Sequence, residues 1–212
     1  YGSVFSHANE QASAGYYHVK LDDDNIDAEF TATERVGFHH YRFASAKDNN
    51  IILDLKHRDE VIESSIKIED SVTVSGLRRS KAWADNQYVY FVMKFSKPIL
   101  KYGIWDADQL SAVGVAGIEN SKNIKAYFQF DMSASQDIYV KVAISPVSAD
   151  GAKRNLNAEL SGWDFQSVRD NATEKWNQEL SRIEVINSKE TEKLTVFYTA
   201  LYHTAIVPNI NM

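Results

Sequence analysis

The chain has 212 residues, of which 44% are hydrophobic and 25% charged, and this globular composition excludes a disordered protein. Its formal net charge of -6 and the lack of a Lys/Arg cluster argue against a nucleic-acid partner, and no run approaches the ~20 apolar residues of a membrane span. The chain contains no cysteine, which excludes disulfides, thiolate zinc sites and cysteine nucleophiles.

Residues 16–147 carry a period-two alternation of apolar and polar side chains, which indicates half-buried β-strands. In one clear case, Tyr17, Val19 and Leu21 alternate with His18 and Lys20. The predicted strands cover 17–21, 28–32, 38–43, 51–55, 62–68, 71–77, 87–95, 99–105, 125–130 and 137–144. Because turn-rich joints separate them and no helices alternate with them, we predict an antiparallel β-sandwich.

The apolar spacing changes to three and four residues after Pro146, which is typical of amphipathic helices. A first helix is predicted over 149–160, with Ser148 as its N-cap. A second helix is predicted from about 164 to 182. The chain is therefore expected to be a β-sandwich with a helical tail.

A third helix is predicted to begin near Asn187, which would cap it while Glu190 reaches back, and to end at Pro208. Its apolar side consists of Leu194, Phe197, Tyr198, Leu201, Tyr202 and Ala205. Such a face needs a partner, which is either the sandwich itself or a following domain. Since the chain begins at Tyr1 and stops at Met212 soon after this helix, we expect it to be a piece of a longer protein.

Two polar motifs in the strand region invite a metal-site interpretation. His39 and His40 are adjacent on a predicted strand, so their side chains point to opposite faces and cannot chelate one metal as a pair. An acidic run starts at Asp22, but Asp27 and Thr33 occupy the positions where an EF-hand loop needs Gly and Glu. A solvated hairpin turn is the better interpretation of this run.

Two groups of residues are candidates for sugar binding. The loop around Trp83 places an aromatic ring near Asp85 and Gln87. An apolar sugar face can stack on an aromatic ring while carboxylates and amides bind hydroxyls. The alternative is a Trp that plugs one end of the sandwich. His7 and Glu10 form a second and weaker polar cluster before the first strand.

Several longer segments are more specific than any single residue. They are FSHANE at 5–10, AGYYHVKL at 14–21, ATERVGFHHY at 32–41, SGLRRS at 75–80, VYF at 89–91, FSKP at 95–98, AISPVS at 143–148, GWDF at 162–165 and FYTALYHT at 197–204. In this order they resemble glycoside hydrolase family 92, the calcium-dependent exo-acting α-mannosidases. Where that family commonly has Arg after the His of its Gly-Phe-His segment, this chain has His40.

The resemblance implies an N-terminal β-sandwich, connecting helices and a C-terminal barrel of paired α-helices. On that map, residues 1–147 are the sandwich without its earliest part. Residues 148–186 are a helical linker, and residues 187–212 are the first helix region of the barrel. The resemblance therefore supplies a partner for the apolar face of the third helix, namely the rest of the barrel.

The resemblance also implies an activity. Family members cleave terminal α-mannosides with inversion, many preferring the 1,2 linkage of high-mannose glycans. Inversion requires a carboxylic acid and a carboxylate ~6.5–9.5 Å apart. In the family, these groups and the calcium ligands belong largely to the barrel, so no catalytic or metal-binding residue is assigned to this chain, which is expected to be inactive alone.

The expected partners are mannose-containing glycans and the protein's own catalytic domain, and the expected location is periplasmic or secreted. As the sandwich contributes loops to the pocket, His7, Glu10, Trp83, Asp85 and Gln87 are the candidate substrate-binding residues. Two other classes stay open: a non-catalytic carbohydrate-binding module, and a structural sandwich on which the third helix packs back.

Overall fold

The structure is a computed structural model that describes residues 2–45, 49–107, 109–111, 114–186 and 189–207. A short 3-10 helix at His7–Asn9 precedes the strands. The strands are β1 Glu10–Ser13, β2 Tyr16–Leu21, β3 Ile26–Ala32, β4 Val36–Phe43, β5 Asn50–Asp54, β6 Glu60–Ile68, β7 Thr73–Lys81, β8 Gln87–Phe95, β9 Ile99–Asp106, β10 Gln109–Leu110, β11 Gly117–Ser121, β12 Ile124–Phe130 and β13 Asp137–Ser145. The helices are α1 Ala149–Glu159, α2 Phe165–Leu180 and α3 Thr191–Thr204.

The strands form two antiparallel sheets, which confirms the predicted fold class. The large sheet has nine strands in the order β1-β2-β3-β4-β13-β8-β7-β6-β11, and the small sheet has four in the order β10-β9-β12-β5. All ten predicted strands are present. The strands β1, β10 and β11 were not predicted, and their mostly exposed residues lack the apolar alternation that predicts a strand.

The two sheets enclose the main core. Strand β12 shows the pattern most simply, because Ile124, Ala126, Phe128 and Phe130 are all buried and face the large sheet. Phe95 on β8 meets them, with its ring centroid 5.3 Å from that of Phe128 and 4.9 Å from that of Phe130. Alternate residues on facing strands therefore build the inter-sheet layer.

A second core lies on the opposite face of the large sheet, called the outer face below, where α1 and α2 pack. Ser148 caps α1 as predicted, because its hydroxyl accepts from the Gly151 backbone N–H at 3.0 Å. Leu156 of α1 and Phe165 of α2 are buried there, and the Phe165 ring lies 5.3 Å from that of Phe38 on β4. The large sheet is thus covered on both faces.

Helix α2 also fixes the β1–β2 turn. Gly15 has φ +84°, and a Cβ added there would lie 3.0 Å from the Cβ of Ala172. A residue without a side chain satisfies both conditions. Next to this turn, the Arg169 guanidinium stacks 3.7 Å from the centroid of the Tyr16 ring.

The start of the third helix was predicted wrongly. The helix begins at Thr191, and Glu190 makes no side-chain capping bond but pairs with Lys193. Asn187 and Pro208, the predicted ends, lie outside the described residues. None of the described α3 residues is buried, and the helix meets α2, with 4.6 Å between the Trp176 and Tyr202 rings. The expectation that α3 packs back on the strands is therefore not what the structure shows.

Candidate functional site

The two polar candidates near the start of the chain form one hydrogen-bonded group. Ser6 caps the 3-10 turn by accepting from the Ala8 N–H at 3.2 Å, and this turn places His7 beside Glu10 at the start of β1. The His7 Nδ1 lies 2.5 Å from one oxygen of Glu10, and the Tyr17 hydroxyl donates to the other at 2.6 Å. The bond from Tyr17, followed by that from His7, lowers the pKa of Glu10, so this carboxyl is ionised at neutral pH.

The aromatic candidate lies at the tip of the β7–β8 hairpin. The Trp83 side chain is fully exposed, so the alternative of a Trp that plugs the sandwich is wrong. Asp85 forms an exposed ion pair with Lys81 at 3.4 Å, and Gln87 is exposed at the first position of β8. Trp83, Asp85 and Gln87 therefore share one solvent-exposed hairpin end.

Ordered contacts support the stem of this hairpin. Arg79 donates from Nε to the side-chain oxygen of Asn86 at 2.6 Å, and its guanidinium lies 5.0 Å from the centroid of the Tyr88 ring. The Tyr88 ring stacks in turn on that of Tyr90, with 6.3 Å between centroids. These contacts stiffen the stem below the exposed Trp83.

The structure keeps the two candidate groups apart. Glu10 lies in one row of paired residues that runs across β2, β3 and β4 and ends at Ile138, near the start of β13. Gln87 lies at the other end, three residues before Tyr90, which pairs with Ser145 at the end of β13. Along the direction of β13, the two groups are therefore separated by the seven residues from Ile138 to Ser145 and by three more to Gln87. Ten residues along a strand correspond to about 30 Å. One small ligand therefore cannot contact both groups within this chain.

A third polar cluster on the outer face was missed from the sequence. His40 lies between two carboxylates, with Nδ1 2.7 Å from Glu29 and Nε2 2.8 Å from Asp137. Tyr16 donates to Glu29 at 2.6 Å, and Arg42 donates to Asp137 at 2.9 Å. Burial alone would raise the pKa of both carboxyls, but these hydrogen bonds outweigh it and lower the pKa of each. The cluster links β2, β3, β4 and β13.

His39 and His40 lie on opposite faces of β4, as predicted. The His39 ring faces away from the helices, 5.0 Å from the Phe30 ring, with Nδ1 3.0 Å from the Tyr41 hydroxyl. Burial lowers the pKa of His39 to about 4, so the ring is neutral at pH 7. Within the described part of the chain, no group of three or more His, Asp or Glu residues could hold a metal ion.

A buried lysine fixes the corner between α1 and α2. Lys141 on β13 is 2% exposed, and its Nζ donates to the carbonyl oxygens of Leu160 at 3.0 Å and Ser161 at 3.3 Å. The same Nζ lies 3.9 Å from the centroid of the Trp163 ring. Burial, with a smaller effect of Lys94, lowers the pKa of Lys141 to about 8. These contacts hold the connection between α1 and α2 against the large sheet.

Two protein-family models match the sequence. The Glycosyl hydrolase family 92 N-terminal domain matches residues 1–145, and the catalytic domain of the same family matches residues 151–212. The chain belongs to glycosyl hydrolase family 92. The resemblance found in the sequence segments is thereby confirmed. The catalytic-domain match covers α2, α3 and all but the first two residues of α1.

Solved family 92 structures have the same fold. The α-mannosidase BT3965 from Bacteroides thetaiotaomicron superposes with a TM-score of 0.90 and 30% identity, over 99% of this chain and 29% of that protein. The inverting mannosidase BT2199 from the same species gives a TM-score of 0.83 and 30% identity, over 94% of this chain and 26% of that protein. BT3965 has also been solved in complex with mannoimidazole, where the TM-score is 0.89.

A curated relative is an uncharacterized secreted glycosidase from Arthroderma benhamiae. It is 27% identical over an alignment 220 residues long, and the alignment covers 93% of this chain and 28% of the relative. This family 92 chain therefore spans less than a third of the length of the proteins that it matches. None of the described helices is long and apolar enough to cross a membrane.

Proposed function

We propose that the longer protein is an exo-acting α-mannosidase and that this chain is its N-terminal sandwich, followed by a helical linker and the first helix region of the catalytic barrel. The observation that carries the proposal is the match over 99% of the chain to a family 92 α-mannosidase at a TM-score of 0.90. The proposed reaction is hydrolysis of terminal α-mannosides with inversion, preferring the 1,2 linkage of high-mannose glycans. The name of BT2199 as an inverting mannosidase supports the stereochemical part.

The chain alone is proposed to be inactive. Inversion needs an acid that protonates the leaving oxygen and a base that activates water on the other side of the sugar ring. No carboxyl group of this chain is assigned to either task. The described residues also do not fit a calcium ion, since no group of three acidic or histidine side chains could hold one. We place the acid, the base and the calcium ligands in the remainder of the catalytic domain.

The same remainder is the proposed partner of α3. Val196 and Phe197 on this helix are 70% and 37% exposed, although apolar side chains of this size favour burial. A groove of about 1090 Å³ lies between α2, α3 and the β3–β4 turn, and Trp176 and Thr33 line it. Since the catalytic-domain match includes α3, we assign both surfaces to the continuation of that domain.

The sandwich is proposed to contribute the edge of the mannose pocket. His7 and Glu10 at one end, and Trp83, Asp85 and Gln87 at the other, are the candidate residues. Because about 30 Å along the strands separates the two groups, at most one of them contacts the terminal mannose. The other would then contact a more distant part of a glycan chain.

A non-catalytic carbohydrate-binding module is the second candidate function. The fully exposed Trp83 favours it, because an aromatic ring at a hairpin tip can stack on a sugar without any catalytic domain. In that case the 212-residue chain binds mannosides by itself and loses this binding when Trp83 is replaced by Ala. In the enzyme interpretation, binding requires the longer protein.

Export to the periplasm or beyond the cell is the proposed location. This proposal is supported by the relative that is named as a secreted glycosidase. Fractionation of the native host, with a periplasmic and a cytoplasmic marker protein as controls, tests this. Recovery of the protein with the cytoplasmic marker would contradict it.

Mannose release is the decisive assay for the reaction. The longer protein and the 212-residue chain are incubated with α-1,2-mannobiose, with and without a calcium chelator. We expect the longer protein to release mannose only without chelator, and the 212-residue chain to release none. Release by the short chain, or no release by the longer protein under any condition, would overturn the proposal.

A further inference from the structure

His7 is exposed, yet its orientation is fixed. Its side chain is 89% exposed, while Nδ1 is held 2.5 Å from the Glu10 carboxylate. The Phe5 ring meets the imidazole edge to face, with 5.5 Å between centroids and 87° between planes. A fully solvated imidazole needs neither contact. These contacts hold the exposed ring in one orientation, and a ring held in this way is preorganised to bind a ligand.

The hydrogen bonds determine where the proton of His7 resides. Glu10 is ionised at neutral pH, and an ionised carboxylate only accepts hydrogen bonds. Since the Tyr17 hydroxyl already donates to one oxygen, the other oxygen receives the Nδ1–H of His7. In the neutral ring, Nε2 is then the free acceptor, and the high exposure of the side chain leaves it open to solvent.

The surroundings favour an uncharged ligand that donates hydrogen bonds. The Phe5 side chain is 45% exposed beside His7 and offers an apolar ring. Two acidic side chains are near: Glu10, and Asp23, which accepts from the Val4 N–H at 2.9 Å. Both repel anions, whereas a sugar offers hydroxyl donors and an apolar C–H face.

We propose that Phe5 and His7 form a sugar-binding edge, in which His7 Nε2 accepts a hydrogen bond from a sugar hydroxyl, and that Tyr17 is a positioning residue that acts through Glu10. The inference rests on the proposed function for the identity of the sugar as mannose. The part of the inference that concerns the tautomer of the His7 ring does not depend on the proposed function. Tyr17 contacts no ligand but keeps Glu10 oriented and ionised.

The first experiment measures the His7 tautomer by nitrogen-15 NMR of the 212-residue chain at pH about 8.5, where imidazoles are neutral. We expect the proton on Nδ1 in the wild type, a mixture in Tyr17→Phe, and a majority on Nε2 in Glu10→Ala. His57, whose side chain is exposed, is the internal reference, and Tyr127→Phe on the small sheet is the control variant. An identical tautomer in wild type and Glu10→Ala would overturn the relay.

The second experiment measures mannoside hydrolysis by the longer protein. We expect His7→Ala and Tyr17→Phe each to raise KM about fivefold, the size of one lost hydrogen bond, with kcat nearly unchanged and Tyr127→Phe equal to wild type. Unchanged KM in an active enzyme would overturn the inference and leave the proposed function intact. If the longer protein cleaves no mannoside, the proposed function fails. The tautomer measurement on the 212-residue chain then decides the relay from Tyr17 through Glu10 to His7, because it needs no sugar.

Discussion

Replacement of Lys141 by Met tests how the α1–α2 corner is held. Methionine keeps the apolar stem of the side chain and removes its charge. Burial lowers the pKa of Lys141 from 10.5 to about 8, so the unfolded chain binds this proton more tightly than the folded chain. The free energy of unfolding must therefore rise as the pH increases from about 8 to about 10.5.

The size of this effect follows from the two pKa values. The gap between 10.5 and about 8 corresponds to a total of about 3 kcal/mol, with a slope of up to about 1.4 kcal/mol per pH unit. At pH 7 the variant gains by losing a buried charge. It also leaves the Leu160 and Ser161 carbonyls without a donor, which costs about 1–3 kcal/mol. We therefore expect a net change within about 2 kcal/mol at pH 7 and a large difference in slope.

Urea unfolding of the 212-residue chain at pH 7, 8, 9 and 10 measures both quantities. The pH range stops at 10 because burial raises the pKa of Tyr16 and Tyr41 to about 12, so these residues lower the stability at higher pH. The exposed Lys122→Met is the control and should keep the wild-type slope. If the free energies of unfolding of the wild type and of Lys141→Met change in parallel between pH 8 and 10, the buried-charge account of this corner is refuted.

Three further predictions concern the turn, the outer-face cluster and α3. Gly15→Ala should lower the free energy of unfolding by about 1–2 kcal/mol, because the new Cβ meets Ala172 at a positive φ, and urea melts measure this. Asp137→Asn should cost about 1–2 kcal/mol at pH 7. Because folding lowers the pKa of Asp137, this carboxyl stabilises the fold above pH 3.8, and the stabilisation is lost as the pH falls below that value. The variant should therefore show a shallower acid transition by circular dichroism. An acid transition as steep as that of the wild type would refute the role of the His40 cluster. Phe197→Ser should change the stability of the 212-residue chain by less than about 1 kcal/mol but lower the melting temperature of the longer protein. Equal losses in both would contradict the docking of α3.

The strands were predictable where burial follows sequence alternation. Strand β8 was predicted with its observed bounds, and β12 alternates buried and half-buried residues along its whole length. Strand β1 was missed because its residues are mostly exposed, and its backbone pairing with β2 leaves no alternation of apolar and polar residues in the sequence. Helix α3 begins at Thr191 rather than near Asn187, because a capping motif in the sequence locates a helix end only to within a few residues.

The sites were less predictable than the fold. His7 and Glu10 are three residues apart, so their contact is local and could be proposed from the sequence. The contact of Tyr17 with Glu10 requires the pairing of β1 with β2, which the sequence did not predict. The contact of Asp137 with His40 joins residues separated by 97 positions. The sequence also could not decide whether a Trp lies inside the sandwich or at a hairpin tip, because both environments accept an aromatic ring.

The stereochemistry of mannose release tests the central proposal most directly. The longer protein is mixed with an α-mannoside, and proton NMR follows the anomeric signals of the free sugar in the first minutes. The account predicts that β-mannose appears first and then equilibrates, as inversion requires. Initial release of α-mannose, or the absence of any free mannose, would contradict it.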